Sequence, residues 1–257
     1  MKGRSRSSSI PTKRSKPAGS KTTVKPLTVW TVRRAMIELR RLGSRGNVEG
    51  MARFGILTKK AFGVATPDME RVARGIGRNH ALGMRLWETG NHDARTLAVL
   101  VSDARLVNAA HMERWVKEFD NWSVCDGTCC HLFAHASPAW KKALAWTRRK
   151  SEFEKRAGFA LAAYLAIHDK TASDKQFEPV LKAIEREAWD ERNFVRKAVN
   201  WALRNIGKRN QRLNRRAIAS AERIRKEGTH AGRWIAADAL RELKSQAIQA
   251  RLKRKKR

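Results

Sequence analysis

Between Thr28 and about residue 247, apolar residues recur three or four positions apart, the period of a helix with one buried face. In TVWTVRRAMIELRRLG, Val29, Val32, Met36, Leu39 and Leu42 hold that spacing until Gly43 ends it. Thr66-Pro67-Asp68 reads as a helix start, with a hydroxyl, then a proline in the first turn, then an acid that suits the helix dipole. Ser137-Pro138-Ala139 repeats the opening, and Ser151 with Glu154 has the spacing of a capping box. No segment alternates with period two. The pattern predicts about a dozen helices and no sheet.

Several of these helices resemble one another. DARTLAVL (93–100), EKRAGFALAAYL (154–165), VRKAVNWALRNI (195–206) and AGRWIAADALREL (231–243) each place a basic residue near the start, then small residues, then a leucine on the next turn. Aligning Arg156, Lys197 and Arg233 gives offsets of 41 and 36 residues, close to the roughly 40 of paired-helix repeats. One helix pair cannot bury its apolar stripe alone, so such repeats stack into a curved solenoid with small residues at the contacts. An ordinary helix bundle is the alternative.

Charge changes the picture most. The 257 residues carry 56 Lys and Arg against 24 Asp and Glu, a formal net charge of +32. The first 27 residues are basic, lack acids and have no hydrophobic period, and the last seven are mostly Lys and Arg. The repeat region keeps a strong basic excess without them. A surface charged only for solubility would mix signs near neutrality, whereas this excess concentrates phosphate polymers. The expected organisation is a flexible basic tail over 1–26, a folded domain over 27–247 and a basic tail over 248–257. No apolar run reaches membrane length, the N-terminus has no signal-peptide core, and three cysteines suggest no disulfide framework. A cytoplasmic, DNA-associated monomer is expected.

The segment FDNWSVCD (119–126) carries the candidate chemistry. On a helix Trp122 and Asp126 share a face, and Trp201 lies in the basic segment NFVRKAVNWALRNIGKRN. Two indoles and a carboxylate on a cationic surface suit an alkylated, positively charged purine. Indoles attract the cation, and the acid stabilises charge developing at C1′ of the sugar. Equally, the two indoles could be core residues and Asp126 the partner of an arginine. Cys125, Cys129, Cys130, His131 and His135 crowd one stretch; the reading favours buried thiols over a metal site, and neither metal nor cofactor is expected.

WETGNHDARTLAVLVSD (87–103), FDNWSVCD (119–126), FEKRAGFALAAYLA (153–166) and FVRKAVNWALRNIGKRN (194–210) resemble, in this order, the HEAT-like-repeat alkylpurine DNA glycosylases of the DNA alkylation repair family. The resemblance covers roughly residues 30–243. It implies an all-α fold, a right-handed α-solenoid of about six HEAT-like helix pairs with a concave basic face that wraps duplex DNA. It also implies that Asp126 is catalytic, that Trp122 and Trp201 flank a lesion left in the duplex, and that Arg156 contributes to the site. The expected partner is double-stranded DNA with alkylated bases. Phosphate contacts are expected from Arg95, Lys197, Arg204, Lys208, Arg209 and Arg233, with the Gly207–Asn210 turn supplying free backbone N–H groups. The rival readings are a catalytically silent nucleic-acid-binding repeat protein and a protein-interaction scaffold.

Overall fold

The computed structural model describes residues 29–57 and 60–254. The expected N-terminal tail and the last three residues lie outside them. The described residues form fourteen α-helices, two short 3-10 turns and no strand. In order they are α1 (Val32–Leu42), α2 (Arg45–Arg53), α3 (Thr66–Ile76), α4 (His80–Trp87), α5 (His92–Val101), α6 (Ala109–Val116) and α7 (Trp122–His131). Then come α8 (Ala139–Trp146), α9 (Glu152–His168), α10 (Asp174–Glu187), α11 (Asn193–Gly207), α12 (Gln211–Glu227), α13 (His230–Leu243) and α14 (Gln246–Arg254). None is long and apolar enough to cross a membrane.

The helices stack as a solenoid. Pairs α4/α5, α8/α9, α10/α11 and α12/α13 pack together, and α6/α7 occupies the corresponding place in the succession. The second helices form a continuous layer, α5 on α7, α7 on α9, α9 on α11 and α11 on α13, while α10 bridges α8 and α12 in the other layer. Thus five pairs follow one another, with α1 and α3 packed on the first of them. The 248–257 segment is helical as far as Arg254, and Leu252 of α14 is buried.

Small residues set the separations. Eleven of the 17 residues of α9 are buried, five of them alanine and one glycine. A Cβ on Gly158 would lie 2.6 Å from the Thr147 backbone nitrogen at the end of α8, so only glycine permits this approach. Large aromatics fill the first pairs: Trp87 stacks on Trp115 at 3.8 Å, and Phe133 joins Trp115 to Trp146. The hydroxyl-based start signals locate helix ends without making the expected bonds. Thr66 is the first helical residue, after Ala65, and α8 begins after Pro138 with no side-chain cap. Ser151 caps nothing through its side chain, since Glu154 turns instead toward Arg149 at 3.5 Å. A closed capping box occurs at Ser173 and Gln176.

Candidate active site

Asn121 fixes where α7 begins. Its side chain accepts from the Val124 N–H at 3.0 Å, which makes Trp122 the first helical residue and puts Asp126 one turn later on the same face. From the neighbouring α9, Arg156 meets Asp126 with two parallel bonds, Nε to Oδ1 at 2.9 Å and Nη2 to Oδ2 at 2.6 Å. The third guanidinium nitrogen donates to the Phe194 carbonyl in the first turn of α11, at 2.7 Å. One arginine therefore ties three successive helices of the second layer together. Its side chain is 8% exposed and that of Asp126 14%.

Burial of this kind pushes a carboxyl upward and a bidentate cation pulls it down. At Asp126 burial prevails and raises the carboxyl above its ordinary value, the Arg156 guanidinium restraining the rise. Burial also works against the Arg156 charge, but the carboxylate outweighs it and holds the guanidinium above its ordinary value. Each carboxylate oxygen spends one lone pair on Arg156 and retains another, so the edge of Asp126 that reaches solvent can still accept a hydrogen bond.

The two indoles lie on either side in sequence terms but are held separately. Trp122 is half-buried and donates Nε1–H to the Phe54 carbonyl, just beyond α2, at 2.9 Å. That segment also reaches α11, where Gly55 approaches the Phe194 ring so closely that a Cβ would lie 3.1 Å from it. Trp201, half-buried on α11, sets its ring edge-on to Tyr164 of α9 at 4.9 Å. Burial raises the Tyr164 phenol, with a smaller contribution from Cys130, four residues after Asp126. Among the described residues, neither indole hydrogen-bonds Asp126 and the two rings do not stack on each other. Phe153 and Phe194 pack at 5.4 Å beside the ion pair. Sequence reasoning named neither phenylalanine, nor the Phe194 carbonyl, because a main-chain acceptor leaves no mark in residue type.

The expected phosphate contacts divide sharply. Lys197 is exposed with no acidic partner among the described residues, and Arg233 is exposed with its guanidinium folded onto the Gly228 carbonyl. Arg204 pairs with Asp238 and Glu242 of α13 at 3.0 and 3.1 Å, and Lys208 with Glu242 at 2.8 Å. Arg95 is 11% exposed, bonded to Glu118 at 2.6 Å and laid over the Trp87 ring. Arg209 donates to the Ala166 and Ala172 carbonyls and covers Phe177. These last two guanidinium groups hold helices together. The Gly207–Asn210 turn also differs from expectation. The Lys208 and Arg209 N–H groups bond the Arg204 and Ile206 carbonyls, and Gly207 is buried against Leu243. Its backbone has no N–H groups to spare for an anion at Lys208 and Arg209.

The cysteines behave as small apolar groups. Cys125 and Cys129 are buried with thiols 3.7 Å from the Phe153 and Ala157 carbonyls. No group of three or more His, Cys, Asp and Glu among the described residues is placed to hold a metal ion. Among the other tryptophans, Trp87, Trp115 and Trp146 are fully buried, whereas Trp189 is 57% and Trp234 38% exposed.

Comparison with known proteins agrees with this architecture. A family model described as "DNA alkylation repair enzyme" matches residues 35–243. A solved structure described as "A new family of proteins related to the HEAT-like repeat DNA glycosylases with affinity for branched DNA structures" superposes with a TM-score of 0.69 at 22% identity, covering 76% of this chain and 83% of that one. No curated protein matches the sequence.

Proposed function

We propose, for a chain that belongs to the DNA alkylation repair enzyme family, that it hydrolyses the N-glycosidic bond of cationic N3- or N7-alkylated purines in duplex DNA. The observation that carries the reading is the Asp126–Arg156 ion pair, set into the second-helix layer beside Phe194, with Trp122 one turn before Asp126 on α7 and Trp201 on the neighbouring α11.

Alkylation makes the purine a cation and therefore a good leaving group. When the C1′–N9 bond breaks, its electron pair neutralises the base, so no acid is needed to protonate the departing purine. Positive charge moves to the sugar, where a carboxylate lowers the barrier by favouring that charge and by accepting a hydrogen bond from the water that attacks C1′. Asp126 has the free lone pairs for both tasks, and Arg156 fixes its plane through two bonds. Trp122 and Trp201 offer indole faces to the cationic base and sugar, each contact adding about 0.5–2 kcal/mol. Lys197 and Arg233 supply phosphate contacts, and the remaining basic excess draws DNA toward them.

A second reading, a DNA-binding family member without base release, is favoured by the limited exposure of Asp126 and its engagement by Arg156 at both oxygens. Incubation with duplex DNA methylated at purine N3 and N7, followed by chromatography of freed bases, separates the two. Release of methylpurine supports hydrolysis, and binding without release supports the second reading. Trp201→Ala should slow release more than it weakens binding to undamaged duplex; equal losses would make Trp201 structural.

A further inference from the structure

Trp189 stands in the turn between α10 and α11 with 57% of its surface open to water. The turn beneath it is heavily braced. Asp190, 2% exposed, accepts from the Arg192 N–H, Nε and Nη2 and from Lys155 Nζ at 3.1 Å. The Lys155 ammonium is buried between Asp190 and Glu187 and lies 5.5 Å from the indole centroid. Arg192 then crosses to the Lys150 carbonyl at 2.7 Å, joining this turn to the one before α9. An exposed aromatic plane is thus held in place by buried charge, at little further cost in conformational freedom when something docks on it.

The surroundings are cationic. Arg148, Arg149, Lys150 and Arg192 line, with Trp189, an open depression of about 520 Å³. Its two acids are already engaged, Asp190 as above and Glu191 by His230 and the Ala231 N–H. Arg148 and Lys150 are exposed and have no acidic partner among the described residues.

We propose that this depression docks an unpaired nucleotide of a DNA strand, the base stacked on the outer face of Trp189 and the flanking phosphates on Arg148 and Lys150. An aromatic plane ringed by cations matches both halves of a nucleotide. A base inside an intact duplex is covered by its neighbours on both faces and cannot stack there, so the site selects strand ends, gaps and forks. The location is apt: Phe194, whose carbonyl holds Arg156, follows Trp189 by five residues at the start of α11. The assignment requires DNA binding but not base release.

The test compares the full-length protein on a blunt duplex and on the same duplex with a single-stranded overhang carrying 2-aminopurine. Wild type should bind the overhang substrate more tightly and quench the 2-aminopurine. Trp189→Ala should weaken overhang binding about five- to tenfold, change blunt-duplex affinity less than about twofold and abolish the quench, whereas Trp189→Phe keeps most of the preference. Arg148→Ala with Lys150→Ala should lower the salt dependence of overhang binding. No overhang preference in wild type, equal losses on both DNAs, or quenching retained in Trp189→Ala would overturn the proposal. Because the readout is binding, its failure is distinct from a failure to release base.

Discussion

Replacing Arg156 by methionine removes the cation from Asp126 while keeping most of the side-chain volume. The loss comprises two charge-assisted bonds at 2.9 and 2.6 Å and the 2.7 Å bond to the Phe194 carbonyl. Breaking a fully buried ion pair by removing one partner costs about 3–5 kcal/mol. Asp126 keeps 14% side-chain exposure, which favours the lower part of that range, about 3 kcal/mol at pH 7. Asp126→Asn leaves Arg156 an amide oxygen and the Phe194 carbonyl, and should cost about 1–3 kcal/mol. The double variant buries neither charge, so its loss should fall short of the sum of the singles by at least about 1.5 kcal/mol. Urea denaturation of the four proteins measures that coupling. The pH dependence has a definite sign. In Arg156→Met burial acts on Asp126 without the guanidinium to restrain it, its carboxyl rises further, and a carboxyl with a folded value above its unfolded one (near 3.9) destabilises at neutral pH and less so as it takes up a proton. The deficit against wild type should therefore shrink as pH falls from 7 toward 5. Additive single losses, or a deficit that ignores pH, would refute the coupling on which the site's charge balance depends.

Lys197→Ala should reduce the slope of log affinity against log salt by about 0.9 without altering thermal stability. Arg209→Ala should lower the melting temperature and leave the slope unchanged; the same titration read beside a melt distinguishes them. Gly158→Ala places a methyl 2.6 Å from the Thr147 nitrogen, so α8 and α9 must separate, at a cost of about 1–3 kcal/mol in a denaturation curve. Lys155→Met takes the buried ammonium from Glu187 and Asp190, whose carboxyls burial would raise but whose hydrogen bonds from Lys155, Arg186 and Arg192 hold below their ordinary values. Their stabilisation is complete above the unfolded values, near 4.5 and 3.8, and fades as pH drops through the folded ones. With Arg186 and Arg192 still bonded to the two carboxylates, the variant should lose about 1–3 kcal/mol at pH 7 and draw closer to wild type as pH falls through the folded values, as urea midpoints across pH would show.

The helical period and the small residues of the second helices are legible in the chain because each helix must bury a stripe against its neighbours, and burial writes itself into residue type. The same periodicity pairs Trp122 with Asp126 on one face of α7, since four residues make about one turn. Arg156 can be reached by resemblance, yet its meeting with Asp126 depends on α7 and α9 packing side by side, which no spacing within either helix encodes. The Phe54 carbonyl that holds Trp122 lies 68 residues away in the chain and offers only backbone. Charge is visible in the chain as a sum but not as a distribution of partners. Arg204 and Lys208 look free in sequence because Asp238 and Glu242 come from the next repeat, while Lys197 has no such acid facing it among the described residues. Trp189 shows the converse limit, since an indole in an apolar-rich chain reads as core until its turn is seen to stand outside it.

If Asp126 stabilises charge at the sugar of an alkylated nucleotide, base release must depend on its carboxylate, and the decisive comparison is wild type beside Asp126→Asn on the same N3- and N7-methylated duplex. Free methylpurine is expected from wild type, with a rate at least about 100-fold lower from the variant and undamaged-duplex affinity preserved in both. Equal release by the two proteins, or none from wild type, would contradict that role for Asp126.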